Sequence, residues 1–277
     1  MKFFISLNEL RRLNEPKLQI EMLSQMGFYE LVDGIEINAN LDDPLEVIRL
    51  YEYADILDQN DKSIQIHVQA VFSNHYNDYD YLSNALSIYG KLADRLKTRL
   101  IVVIHSVEHE AIDVAEYRTL KLLDKLYALR TVYQYDLDFV IENLIRPRMD
   151  STNLYRILNK YKTPFCWDVG HAIMNGYEPL LPLEDTRQLK NVHLHDVNQT
   201  DHQPFIYGKT DYYKIISYLK KNNYRGAIVI EIAYDNLRGS NLSDKLEDYL
   251  CQVALVKNAY ETISSLNYPP AVKKAIL

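Results

Sequence analysis

The sequence predicts an α/β protein, a single (β/α)8 TIM-barrel domain over residues 1–277. Three observations point there. Eight short apolar runs of strand type recur along the chain, separated by longer stretches with helical spacing of apolar residues. Strands alternating with helices imply βαβ units and a parallel sheet. Eight such units in 277 residues match a closed barrel of about 250 residues better than an open doubly wound sheet. No GxGxxG follows the first run, as a dinucleotide-binding open sheet would require.

The expected strands are KFFISL (2–7), LVDGIEIN (31–38), SIQIHV (63–68), RLIVVIH (99–105), DFVIEN (138–143), PFCWDV (164–169), NVHLHD (191–196) and GAIVIEI (226–232). Helical spacing is plainest over 44–59, 81–97 and 117–133, and a last helix is expected over 243–263. The stretch 178–190 differs: Pro179 and Pro182 restrict it to a short helix or turn. No Gly-rich linker or composition break marks a second domain.

Apolar residues make up 47% and charged residues 25%, ordinary for a soluble domain with a sizeable core. The net charge of −7 argues against nucleic acid as a partner, although a local basic groove is compatible with an acidic chain. The 23 tyrosines read as composition first and as a substrate-stacking surface second. Cys166 and Cys251 form no CxxC pair, so neither a disulfide framework nor a cysteine zinc site is expected. Cys166, inside PFCWD, reads as a buried thiol. The start MKFFISL is too short for a secretory h-region, and no apolar stretch approaches the ~18 residues of a membrane span. A reduced, cytoplasmic enzyme is expected; homo-oligomerisation is left open.

Chemistry gathers where the apolar runs end. His67, His105, Glu142, Asp168 with His171, His193 with His195, and Glu231 end or closely follow successive runs, and His202 comes soon after the seventh. If these are parallel strands of one barrel, all of them meet at one rim, where neutral imidazoles and carboxylates suit a divalent metal. Along a barrel strand, alternate side chains face the lumen. His193 and His195 therefore face it together, with Val192 and Leu194 toward the helices. A carboxylate on a buried strand, as at Glu36, Glu142, Asp168 and Glu231, is costly unless paired or metal-bound. For any one residue the plainer reading is a polar core group satisfied by hydrogen bonds; for Asp168 it is an N-cap of a following helix. Convergence of the whole set on one rim outweighs it. Lys209, Arg146 and Arg148 follow strands seven and five; they hold a phosphate or sugar hydroxyl at the barrel mouth, or are ordinary solvated loop cations. His75 and His109 are expected in solvent-facing polar loops.

These residues, in this order, resemble the xylose isomerase-like barrel superfamily, which includes sugar phosphate isomerases/epimerases and endonuclease IV-like abasic-site nucleases. WDVGHAIMNGYEP, NVHLHD and HQPFIYGKTDYYKIISYLKKNNYRGAIVIEI carry the likeness, which runs from about the third strand to the eighth. It implies a metal quartet of Glu142, Asp168, His193 and Glu231. His193 is preferred to His195 because the family ligand stands three residues before the strand-ending Asp, here Asp196. His67 and His105, and His171 and His202, match further ligands of multinuclear members. Two departures stand out: the family's D-x-H is Thr200-Asp201-His202 here, with the Asp shifted by one, and Ile206 replaces a loop glycine while Gly208 is kept.

Two enzyme chemistries compete. The first is a sugar, sugar phosphate or keto-polyol isomerase or epimerase, using Zn2+ or Mn2+ (one to three ions) to stabilise an enediolate. Glu142 and Glu231 are then both ligands and the catalytic acid/base pair, and His195, Glu36, Lys209 and Arg146 contact the sugar. The second is an endonuclease IV-like zinc phosphodiesterase, with Glu142 bridging two metals. The near-complete histidine set favours it; the acidic charge and the acidic loop QAVFSNHYNDYDY after His67 count against it. A non-catalytic sugar-binding barrel is a third class, disfavoured by the intact ligand positions.

Overall fold

Eight parallel strands pair in sequence order, and the last pairs with the first, closing a barrel. The structure, a computed structural model, describes residues 1–7, 16–37, 39–145, 151–176 and 186–265. The strands are β1 (Lys2–Ser6), β2 (Gly34–Ile37), β3 (Ser63–His67), β4 (Leu100–His105), β5 (Leu137–Glu142), β6 (Phe165–Asp168), β7 (Leu189–Leu194) and β8 (Ala227–Ile230). Helices α1 (Pro16–Gln25), α2 (Phe28–Leu31), α3 (Pro44–Asp58), α4 (Tyr79–Leu96), α5 (Ile112–Tyr133), α6 (Ser151–Tyr161), α7 (Val169–Met174), α8 (Tyr212–Lys221) and α9 (Leu242–Ser265) intervene or follow.

Every expected strand forms, with small shifts. The seventh runs from Leu189 to Leu194 rather than over 191–196, and Asp196 instead makes an isolated bridge with Gln203. Most of the proline-bearing stretch lies outside the described residues; its end, Thr186–Gln188, is a short 3-10 turn. Helix starts follow capping chemistry. Asp43 caps α3 by accepting from the Leu45 N–H, with Pro44 in the first turn. Asp78 and Asp211 cap α4 and α8 in the same way. Among the described residues no helix is long and apolar enough to cross a membrane.

The strands divide their side chains by parity. Ile35, Ile66, Ile104, Phe139, Ile141, Trp167, Val192, Leu194, Ile228 and Ile230 join the buried layer under the helices. Lumen positions fill in tiers: Phe4, Ala227 and Val229 cluster on one side, and Val103, Val140 and Cys166 on the other. Gly34 sits opposite Phe4, where a Cβ would meet the Phe4 ring at 2.6 Å and the Ser63 carbonyl oxygen at 2.1 Å, so only glycine fits. At the closing seam, the buried Tyr249 hydroxyl of α9 accepts from the Ser6 N–H and lies 2.6 Å from the Ile230 carbonyl oxygen. Above these apolar tiers the same parity carries the chain's polar lumen residues to the C-terminal strand ends.

Candidate metal centre

The register places the candidate residues side by side. His105 pairs with Glu142 across β4 and β5, and Asp168 with His193 across β6 and β7. Glu231 follows β8 directly, with its N–H on the Leu194 carbonyl. Six histidines pack in two trios. His67 meets His105 and His193, each with ring centroids 5.0 Å apart. His171, His195 and His202 form the second trio, at 4.6–5.8 Å.

Four overlapping sets each bring one donor atom per residue within 4.8 Å of the others: Glu142, Asp168, His193 and Glu231; His67, His105 and Glu142; Asp168, His171, His195 and His202; and Glu36, His67, His193 and Glu231. Glu142 belongs to the first two. Its Oε2 lies 3.0 Å from His67 Nε2 and 3.2 Å from His105 Nε2, which are 2.9 Å from each other. Its Oε1 lies 3.3 Å from His193 Nδ1, which is 2.9 Å from Glu231 Oε2 and 3.9 Å from Asp168 Oδ2. Ligand atoms about 2.0–2.1 Å from a tetrahedral ion stand roughly 3.3 Å apart, so these spacings fit a common ion. Glu142 Oε2 and His193 Nδ1 are buried without a well-aligned hydrogen bond, although buried polar atoms are normally satisfied. They converge as ligand atoms do.

The electrostatics follow from crowding charges out of water. Burial pushes the Glu142 carboxyl up, but His193 and His67 outweigh it and hold it well below the usual carboxylate range. Glu231 is held well below it too, burial again losing to His193 and His202. Against burial, the surrounding carboxylates hold His67 and His193 well above the ordinary imidazole value. His171 is raised to about 10, burial being overcome chiefly by Asp168 and Asp201. Asp201 falls to about 2 through its hydrogen bond with His171, whereas burial takes His202 below its ordinary value. The Cys166 thiol beneath the centre is pushed up to about 12 by burial, so it is an inert core group at neutral pH.

Local structure fixes several of these side chains. Asp168 is both a cluster member and the N-cap of α7, accepting from the His171 N–H at 2.7 Å; the two readings of this residue coexist. Asn143 holds it in a reciprocal pair, accepting from the Asp168 N–H and donating to its carbonyl, each at 2.8 Å. Gly170 makes room for His195: a Cβ there would lie 1.9 Å from the ring. Asp196 clamps the loop after β7, accepting from the N–H groups of Val197, Tyr207, Gly208, Lys209 and Thr210. Despite its shift by one, Asp201 reaches His171 Nε2 at 3.5 Å, and the turn puts the next residue, His202, at φ 51°.

The expected substrate contacts fare differently. Glu36 and His195 are wholly buried. Glu36 lies below the centre against His193 and His67, and His195 stands 3.2 Å from Asp168. Lys209 is exposed on the rim and its N–H serves the Asp196 clamp. Arg146 and Arg148 lie outside the described residues. His105, His202 and Asp201 keep side-chain exposures of 21–29%, so the centre opens to solvent on their side. His75 and His109 are half-buried rather than free: His75 stacks on Tyr81, and His109 Nδ1 accepts from the Ala111 N–H. Sequence reasoning missed Gln65, Asn143 and Asn191. Gln65 and Asn191 share lumen parity with His67 and His193, a signal the strands do carry.

Fold and site define a parallel eight-stranded barrel with a histidine- and carboxylate-lined centre at its strand ends. The chain belongs to the xylose isomerase-like TIM barrel family, whose model matches residues 32–252. No curated protein matches it in sequence. Among solved structures it is similar to the D-psicose 3-epimerase with D-tagatose from Clostridium cellulolyticum H10, at 15% identity and TM-score 0.64 over 95% of this chain and 99% of that one. A sugar phosphate isomerase/epimerase from Parabacteroides distasonis ATCC 8503 is similar at 13% identity and TM-score 0.63, over 92% and 95%. So is a Thermus thermophilus protein soaked with ZnCl2, at 16% identity and TM-score 0.55, over 95% and 99%. At these identities the likeness establishes the fold alone.

Proposed function

We propose that this protein is a divalent-metal-dependent isomerase or epimerase of a small sugar, sugar phosphate or keto-polyol. The observation that carries the reading is the quartet Glu142, Asp168, His193 and Glu231, converging within 4.8 Å at the solvent-open end of the barrel. The buried, unaligned donor atoms of Glu142 and His193 fit an ion of the zinc or manganese kind. When bound there, such an ion polarises adjacent carbonyl and hydroxyl oxygens and acidifies the proton between them. Glu142 and Glu231 are carboxylates at neutral pH and act as proton acceptors as well as ligands. Asp168, locked by Asn143 and by its N-cap bond, gives the site a rigid wall. The test is solvent-deuterium exchange into a panel of ketoses and sugar phosphates, followed by NMR. Exchange at a carbon next to the carbonyl, lost in Glu142→Gln, is expected. If Glu142→Gln retains both metal and activity, the site assignment is wrong.

A second reading rests on a specific feature: Glu142 is shared between the quartet and the His67–His105 pair. That sharing also suits a multinuclear zinc phosphodiesterase of the endonuclease IV kind. Hydrolysis of an abasic-site duplex or a model phosphodiester, without sugar exchange, would reverse the order. The net charge of −7 and the acidic loop after β3 favour the sugar.

A further inference from the structure

Glu36 is a buried carboxylate that the proposed chemistry does not use. It projects from β2 into the lumen and is 0% exposed. Gln65 Nε2 donates to its Oε2 at 2.9 Å and Asn191 Nδ2 at 3.0 Å. Its Oε1 lies 3.1 Å from His193 Nε2 and 3.4 Å from His67 Nδ1. His193 Nε2 is also 3.2 Å from Glu36 Oε2 and 3.2 Å from Asn191 Nδ2, and Glu231 Oε1 lies 3.6 Å from His67 Nδ1.

The remaining ring nitrogens point the other way. His193 Nδ1 faces Glu142 and Glu231, and His67 Nε2 faces Glu142 and His105. One carboxylate thus stands behind one histidine from each of the two sets that share Glu142. A carboxylate accepts about four hydrogen bonds. Two amides and His193 Nε2 share Oε2, while Oε1 is buried without an aligned hydrogen bond and stands 3.1 Å from His193 Nε2 and 3.4 Å from His67 Nδ1. An acceptor behind a ligating histidine fixes its tautomer and orientation and raises its basicity.

Resting on the metal reading above, we infer that Glu36 is a positioning residue that backs His67 and His193 together, so that both ligand sets depend on a single carboxylate. It holds the proton on His67 Nδ1 and on His193 Nε2, leaving the nitrogens that face Glu142 free for metal. Losing such a partner costs about 10–100-fold in metal affinity.

The experiment has two arms on the full chain. Zinc dissociation constants are measured by chelator competition for the wild type, Glu36→Gln and Glu36→Ala, with circular dichroism reporting the fold. The nitrogen-15 tautomer spectrum of zinc-loaded wild type is recorded as well, an arm that needs no variant to fold. Expected are a weakening of zinc binding by about 10–100-fold that extends to His67 and His193 alike, and protons on the two nitrogens facing Glu36. Unchanged affinity in a folded variant overturns the inference while leaving the metal reading intact. Weakening at one histidine's set alone overturns the shared backing. Metal on the nitrogens facing Glu36 would make it a ligand instead. A wild type that binds no zinc or manganese overturns the metal reading, and this inference with it.

Discussion

Replacing Asp196 by Asn tests how the rim loop is built. The change is nearly isosteric, but only one oxygen remains. Oδ1 accepts from Val197, Lys209 and Thr210 at 2.9–3.0 Å, and Oδ2 accepts from Tyr207 and Gly208 at 2.9 and 2.8 Å. If the Asn oxygen takes the Oδ1 place, its NH2 faces two N–H donors. Two charge-assisted bonds are lost, each contributing about 1.5–3 kcal/mol. Tyr207 and Gly208 are exposed, so their freed N–H groups find water, and the cost stays near the lower end, about 3 kcal/mol. At about 2–4 °C per kcal/mol, Tm falls by about 6–12 °C. Urea unfolding and a thermal scan read this directly. A loss below about 1 kcal/mol would refute the clamp, because two unmade bonds at a buried carboxylate cannot cost so little.

Other outcomes follow from the same geometry. Gly170→Ala places a Cβ 1.9 Å from the His195 ring and forces the ring back; overpacking of about 1–3 kcal/mol outweighs the ~1 kcal/mol gained in helix propensity, so urea unfolding should show net destabilisation and elemental analysis lower zinc uptake. Glu142→Gln should leave the circular dichroism unchanged while metal content and sugar exchange both fall, since the residue belongs to two candidate ligand sets. In chelator-treated protein, His67 and His193 are raised above the unfolded value of about 6.5, so their stabilisation is complete below that pH and fades as pH rises through the folded values, with His171 at about 10. Glu142 and Glu231 act in the opposite sense: their contribution is present above about pH 4.3 and is lost as pH falls through their depressed folded values. Tm of the metal-free form should therefore fall between about pH 7 and 9 while the zinc-loaded form gains on it, because ions and protons compete for the same nitrogens. A metal-free Tm that climbs over that range contradicts the charge assignment.

The barrel was legible because its strands announce themselves: runs such as LIVVIH and FCWD are too short and too apolar for helices, and their spacing leaves room for one helix each. The rim was legible for the same reason, since period-two alternation sends His193 inward with Val192 and Leu194 outward. Depth was harder to read. Parity tells which side chains face the lumen, but not how deep each one lies, so the complete burial of Glu36 and His195 was not legible. The stagger of a barrel sets that depth through strand register, as when Glu36 comes level with Gln65 and Asp168 with His193. Gly170 was illegible for another reason: its role is the space it leaves for a ring 25 residues further on.

The most direct test is metal content per chain, by elemental analysis of protein purified without chelator or added metal. The account predicts at least one zinc or manganese per chain in the wild type, with a second where the His67–His105–Glu142 set fills, and a sharp fall in Glu142→Gln. A folded wild type that carries no divalent ion, and takes up none from added zinc or manganese, would contradict it.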